Sequence, residues 1–186
     1  AGDRGIDVAP ISMAAGLTPA ALADAIARAR VDAVFNHGSY SVYVGIIKSL
    51  RAKGLTPMFM AVNSGAAQMA RELGPEGRGL VFTQVVPFPW GVAVPVVKEY
   101  QQALAKYAPA TAPSFSGLEG YIGAKVLVAG LRAAGRDLTR VGIQRAMEGL
   151  GTVDVGGMLV RYRPGAHTGS TFVDTVIVAS DGRFSR

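Results

Sequence analysis

His37 and His167 are the only histidines in a chain that has no cysteine. Thiolate chemistry, disulfides and cysteine zinc sites are therefore excluded together. The histidines stand far apart in sequence and lack the HExxH spacing that sets two imidazoles on one helix face around zinc. No Gly-x-Ser-x-Gly elbow is present to lift a nucleophile above a sheet, and Gly117, Gly120 and Gly123 do not have the spacing of a dinucleotide or phosphate loop. Neither a hydrolase nor a dehydrogenase is expected, and no cofactor. What remains is polar recognition by loop side chains, and Ser39 and Asn63 stand where such loops are expected. Each has an ordinary alternative, because Ser and Asn commonly cap the helix that follows them.

Charge narrows the function classes further. The net charge is +6, yet the basic residues are dispersed, with Arg132, Arg136, Arg140 and Arg145, then Arg161 and Arg163, as the densest groups. No aromatic residues interleave with them as a single-strand binding groove would require, so no nucleic-acid partner is expected. Hydrophobic residues make 49% of the chain and charged residues 17%, a composition that buries a core. The longest apolar run, Val85 to Val97, is interrupted by Pro87, Pro89 and Pro95, so no membrane crossing is expected. No basic-then-apolar leader opens the chain, and a secreted protein would already have lost one.

The elements that must position Ser39 and Asn63 alternate between strand and helix. Ile6 to Ile11 reads as a short strand, and Thr18 with Pro19 supplies a cap and first residue for a helix running to Arg30. Val31 to Phe35 reads as a buried strand, followed by the loop Asn36-His37-Gly38-Ser39. A helix from Tyr40 to Lys53 stops at Gly54. The next strand, Pro57 to Ala61, ends in the loop Val62-Asn63-Ser64-Gly65, before a helix from Ala66 to Leu73 and a strand from Gly79 to Val86. Such alternation implies a mainly parallel sheet with right-handed crossovers, in which ligands sit beyond the carboxyl ends of the strands. Ser39, Asn63 and the segment Val86 to Phe88 are thereby expected on one rim.

After Pro87 the pattern changes. Pro87, Pro89 and Gly91 read as a linker, and helices are expected over Val92–Tyr107, Phe115–Ala134 and Thr139–Leu150, with Gly135 as a stop and Thr139 as a cap. Strands are expected at Met158–Arg163 and Phe172–Ala179, and Ser180-Asp181-Gly182-Arg183 carries an Asp-Gly turn signal.

Several runs, taken in order, resemble a known family. Val31-Asp32-Ala33-Val34-Phe35, the helix ending Leu50-Arg51-Ala52-Lys53-Gly54-Leu55, Phe59-Met60, Thr83-Gln84-Val85-Val86-Pro87, Glu99-Tyr100, Leu118-Glu119-Gly120-Tyr121 and Gly165-Ala166-His167-Thr168-Gly169-Ser170 are similar to the C-terminal part of branched-chain amino-acid receptors. These are the periplasmic solute-binding proteins of ABC importers. The resemblance implies an α/β fold of the type I periplasmic-binding-protein kind, with two lobes that hold a solute between them. Residues 1–86 and 172–186 would belong to lobe two, which is incomplete, and residues 87–171 to the closing part of lobe one. The N-terminal part of the family is unmatched, so a fragment is expected.

The same resemblance supplies site residues. In amino-acid-binding relatives the loop after the strand matching Val31–Phe35 offers a polar or aromatic side chain, here Ser39 beside Tyr40, with His37 close by. The loop after the next strand offers an acidic residue that pairs with the ligand ammonium. Here that residue is Asn63, an amide that keeps donor and acceptor but has no charge. The departure weakens the case for an α-amino acid and leaves room for an amide, a urea-like compound or an organic acid. Phe115 and Ser116 match the region where lobe one approaches the ligand; core packing for Phe115 and a helix cap for Ser116 are the ordinary alternatives. The implied partners are a small-molecule solute and the membrane subunits of an ABC permease, in the periplasm. A cytosolic sensor of the same fold, signalling to a regulatory partner, is the alternative. Apolar faces at Leu118, Ile122, Leu127 and Leu131, which the family packs on a sheet outside this match, lead to the further expectation of a homo-oligomer.

Overall fold

A computed structural model describes residues 5–12, 16–63 and 65–186. In chain order its elements are α1 (Pro19–Ala29), β1 (Ala33–Asn36), α2 (Tyr40–Ala52), β2 (Met58–Ala61), α3 (Ala66–Leu73), β3 (Val81–Gln84), α4 (Pro95–Tyr107), α5 (Phe115–Ala134), α6 (Arg140–Gly149), β4 (Thr152–Asp154), β5 (Leu159–Arg161), β6 (Asp174–Val178) and β7 (Phe184–Ser185). They fall into two compact units. One comprises the chain up to Thr83 together with Thr175–Arg186; the other is Gln84–Asp174.

The first unit is built on a sheet of order β1-β2-β3-β6-β7. Its first three strands are parallel, with Ala33 opposite Met58 and Asn36 opposite Ala61, then Met60 opposite Val81. Strand β7 returns antiparallel to β6 through a turn in which Ala179 N–H donates to Arg183 O at 2.8 Å. Helix α1 begins where the Thr18 hydroxyl accepts from Ala21 N at 3.2 Å and Pro19 takes the first position, whose N–H would have no helical partner anyway. Helix α2 buries Tyr43, Val44, Ile46, Ile47 and Leu50, the spacing of one helical face. It meets α1 at Gly45, where a Cβ would lie 2.7 Å from Pro19 Cβ, so glycine permits the close approach. The Tyr43 hydroxyl donates to Val34 O at 2.8 Å, tying α2 to β1, and burial pushes its pKa up.

The second unit packs α5 against α6 and α4. Gly130 leaves room for the Met147 side chain, and the rings of Tyr100 and Tyr121 meet at 5.8 Å between α4 and α5. Glu99 and Lys125 form an ion pair across the same two helices. The short β4–β5 hairpin closes on Asp154, whose Oδ1 accepts from Gly156 N at 2.9 Å and Gly157 N at 2.6 Å. Gly156, at φ 107°, then offers its carbonyl to Val96 N at 2.9 Å, where α4 starts.

The two backbone N–H donors hold the Asp154 carboxyl below the usual aspartate range. A lowered folded-state pKa contributes stability above the ordinary aspartate pKa, and that contribution disappears as pH falls through the lowered value. A carboxyl-detected NMR titration should therefore give Asp154 a midpoint below about 3.9, the unperturbed figure. In Asp154→Asn the loss of melting temperature on the acid side should be shallower. A normal midpoint, or identical acid limbs for the two proteins, would show that the turn does not select the charged form.

The mainly parallel α/β architecture is the one expected, but several elements differ. Ile6–Ile11 is not a strand: Ile6 and Val8 are 58% and 65% exposed. An extended segment becomes a strand only by sharing a hydrogen-bond ladder, and this one has none among the described residues. Helix α4 starts at Pro95 and not at Val92, because proline disfavours helical geometry in the residue before it. Strands β4 and β7 and a 3₁₀ turn at Gly74–Gly77 were not expected. Of the loop after β2, Ser64 lies outside the described residues.

Candidate functional site

Parallel pairing sets the candidate rim. Because Asn36 is opposite Ala61 at the ends of β1 and β2, the loops that follow these strands leave the sheet at the same edge. Asn36 shapes the first loop. Its buried side chain accepts from Gly38 N at 3.1 Å through Oδ1 and donates to Gly38 O at 3.2 Å through Nδ2. This local bond folds the chain over Asn36 and leaves His37 exposed.

Ser39 occupies the N-cap position of α2, yet its hydroxyl does not cap the helix; it pairs with Ser41 Oγ at 2.9 Å on the exposed side. The cap is made instead by its backbone, since Tyr43 N donates to Ser39 O at 3.2 Å. Tyr40, half-buried, reaches across to the second loop. A Cβ on Gly65 would lie 2.8 Å from both Cβ and Cγ of Tyr40, so the base of the Tyr40 side chain rests on the Gly65 backbone. Gly65 is the N-cap of α3 at φ 73°, a left-handed conformation in which glycine meets no Cβ penalty. Asn63 is half-buried and contributes its backbone carbonyl to Ala66 N at 3.2 Å, while the cap position of α3 belongs to Gly65. His37, Ser39, Tyr40 and Asn63 thus share one rim of the first unit.

Phe115 and Ser116 open α5 in the second unit. The cap there is Ser114, whose hydroxyl accepts from Gly117 N at 3.1 Å, so Ser116 is free of the capping role and is exposed. Ser114 N in turn donates to the Tyr100 hydroxyl at 3.3 Å. Phe115 is only 8% exposed and packs with Phe88 and Trp90 at ring separations of 6.2 and 5.5 Å. Sequence reasoning missed the parts that Asn36 and Gly65 play in shaping these loops. Asn36 and Gly38, two residues apart after a strand, are a usable turn signal. Among the described residues no group of three or more His, Asp or Glu side chains is arranged to hold a metal ion.

A model of the periplasmic binding protein family matches residues 4–182. The chain belongs to that family. Among solved receptors, a possible leucine/isoleucine/valine-binding protein from Rhodopirellula baltica SH 1 is 33% identical, with a TM-score of 0.78 over 85% of this chain and 43% of that one. An extracellular ligand-binding receptor from Verminephrobacter eiseniae ef01-2 is 25% identical, with a TM-score of 0.77 over 90% of this chain and 48% of the receptor. A branched chain amino acid ABC transporter protein from Thermus thermophilus, solved with bound valine, is 16% identical with a TM-score of 0.69, covering 92% of this chain and 48% of its own; it speaks for the fold alone. The chain therefore spans less than half the length of each of these structures. No curated protein matches it. The fold is the type I fold of this family, and the solved relatives are solute-binding receptors.

Proposed function

We propose that the chain is part of an extracytoplasmic receptor that captures a small polar solute between two lobes and delivers it to an ABC permease. In this reading the first unit belongs to lobe two and the second to lobe one. The role is binding and not catalysis, and the place is the periplasm. The partners are the solute and the permease membrane subunits; neither the family match nor the fold supports a homo-oligomer. The observation that carries the reading is the meeting of two strand-to-helix loops at one sheet edge, Tyr40 on Gly65 with Ser39 and Asn63 beside them, in a chain of this family. The carboxyl rim of parallel strands is where open α/β sheets bind ligands. Among solutes, the amide of Asn63 favours an amide or organic acid over an α-amino acid, since an ammonium held without a carboxylate partner loses a charge-assisted hydrogen bond.

A calorimetric panel of branched-chain amino acids, short amides and small organic acids, run on the complete receptor, tests this. Binding is expected, and Asn63→Ala should weaken the best binder by about 1–3 kcal/mol while the melting temperature stays nearly unchanged. Asn63→Asp should shift preference toward the amino acids. No binding across the panel would remove the receptor reading, and an unchanged affinity in Asn63→Ala would return Asn63 to an ordinary loop residue.

A further inference from the structure

The sheet of the first unit is packed on one side and bare on the other. Tyr43 of α2 meets the Phe59 ring edge-on at 6.2 Å, and Arg51 of the same helix lies 5.6 Å over that ring. Side chains alternate along a strand, so Ala61 shares the Phe59 side, and Phe82, opposite Ala61, joins them. All three are buried. The other side carries Phe35, Met58, Met60 and Val81, in a register that sets Phe35 opposite Met60 and Met60 opposite Val81. On it Phe35 and Met58 are 57% and 56% exposed.

This bare side borders an open edge. Strand β1 is the outermost of the sheet. Met58 N donates to Asp32 O at 2.8 Å, so the parallel ladder to β2 uses alternate residues of β1 and turns the N–H and C=O of Ala33 and Phe35 outward. Among the described residues no strand receives them. A lone exposed apolar residue is ordinary, but parallel strands are normally buried on both faces, and an open edge beside an apolar face invites a partner.

Handedness selects the occupant. Right-handed crossovers running from β1 to β2 and on to β3 set α2 and α3 on the Phe59 side. A right-handed crossover running the other way, outward from β1, sets its helix on the Phe35 side. We infer that a strand and helix of the same polypeptide, outside these 186 residues, dock here. The strand adds in parallel to β1, and the amphipathic helix after it lays its apolar stripe on Phe35, Met58 and Met60. The exposed, unpaired segment Ile6–Ile11 then becomes the next strand outward, reached from that helix. The solved receptors have the length to supply such a unit, since this chain spans 43% of one and 48% of another. From the reading above the inference takes only that the chain is part of a longer protein; it needs no solute.

The test is made on the complete protein. A photo-reactive p-benzoylphenylalanine introduced at Phe35 should cross-link, within one polypeptide, to a peptide of amphipathic pattern outside these residues, identified by mass spectrometry. Hydrogen exchange of the Ala33 and Phe35 amides should be as slow as that of Val34 and Asn36. Phe35→Asp should lower the melting temperature by about 5 °C or more, because it buries a charge, and Phe35→Leu should leave it nearly unchanged. If Phe35→Asp does not fold, Phe35→Ser carries the same comparison. A cross-link to a second copy or to residues 1–186, fast exchange at Ala33 and Phe35, or an aspartate variant that melts with the unsubstituted protein each overturns the docking. Solute binding is read separately by the calorimetric panel, so the receptor reading and the docked unit can fail independently.

Discussion

Replacing Leu50 by alanine should lower the stability of the chain by about 2–5 kcal/mol. Leu50 is fully buried, on the face of α2 that also carries Val44 and Ile47. Its own carbonyl accepts from Lys53 N and Leu55 N, both at 3.0 Å, so the helix end is pinned at this residue. Truncation removes the transfer free energy of three carbons and leaves a cavity that the pinned backbone cannot collapse into. The same truncation at Leu127, half-exposed on α5, should cost well under 1 kcal/mol by the same argument. Chemical denaturation followed by far-UV circular dichroism gives both figures. Equal costs at the two positions would mean that α2 is not packed as described. Because α2 carries Ser39 and Tyr40 at its N-terminal end, a loosened Leu50 should also blur the rim.

Gly65→Ala should cost about 2–5 kcal/mol, and it should do so in part through Tyr40. A left-handed backbone disfavours alanine by roughly 1–2 kcal/mol, and a Cβ pressed against a neighbour adds roughly 1–3. The neighbours at 2.8 Å are Cβ and Cγ of Tyr40, atoms next to the α2 backbone that cannot swing aside as the end of a long side chain could. The expected result is a Tyr40 displaced from its seat between the two loops, with solute binding weakened together with stability. A double-mutant cycle isolates the cause. In a Tyr40→Gly background, which removes Cβ as well as the ring, Gly65→Ala should cost only the backbone part, leaving a coupling of about 1–3 kcal/mol. A cost that is the same in both backgrounds would attribute the whole effect to the backbone and detach Tyr40 from the second loop.

Much of the local structure was legible in residue types. Thr18 before Pro19, and Thr139 before α6, mark helix starts because a hydroxyl and a fixed φ act on the next three residues only; the hydroxyls do accept from Ala21 N and Gly142 N. The alternation of strands and helices up to β3 implied a parallel sheet, because parallel neighbours require a crossover between them. From that alone Ser39 and Asn63 fell on a common rim. Ser116 shows where the same logic slips: two serines flank the start of α5, and the one with extended backbone geometry, Ser114, makes the cap.

What tertiary structure decided is of another kind. Whether Ile6–Ile11 pairs, whether Thr152–Asp154 finds Leu159–Arg161, and whether Tyr40 lies on Gly65 or Trp90 on Phe115 all depend on partners many residues away. Caps and periodicity act within one or two turns of chain and are therefore written in neighbouring residue types. Contacts between distant segments follow from strand register and helix packing, which are set by burying the whole apolar surface at once, and no short stretch of sequence contains that condition.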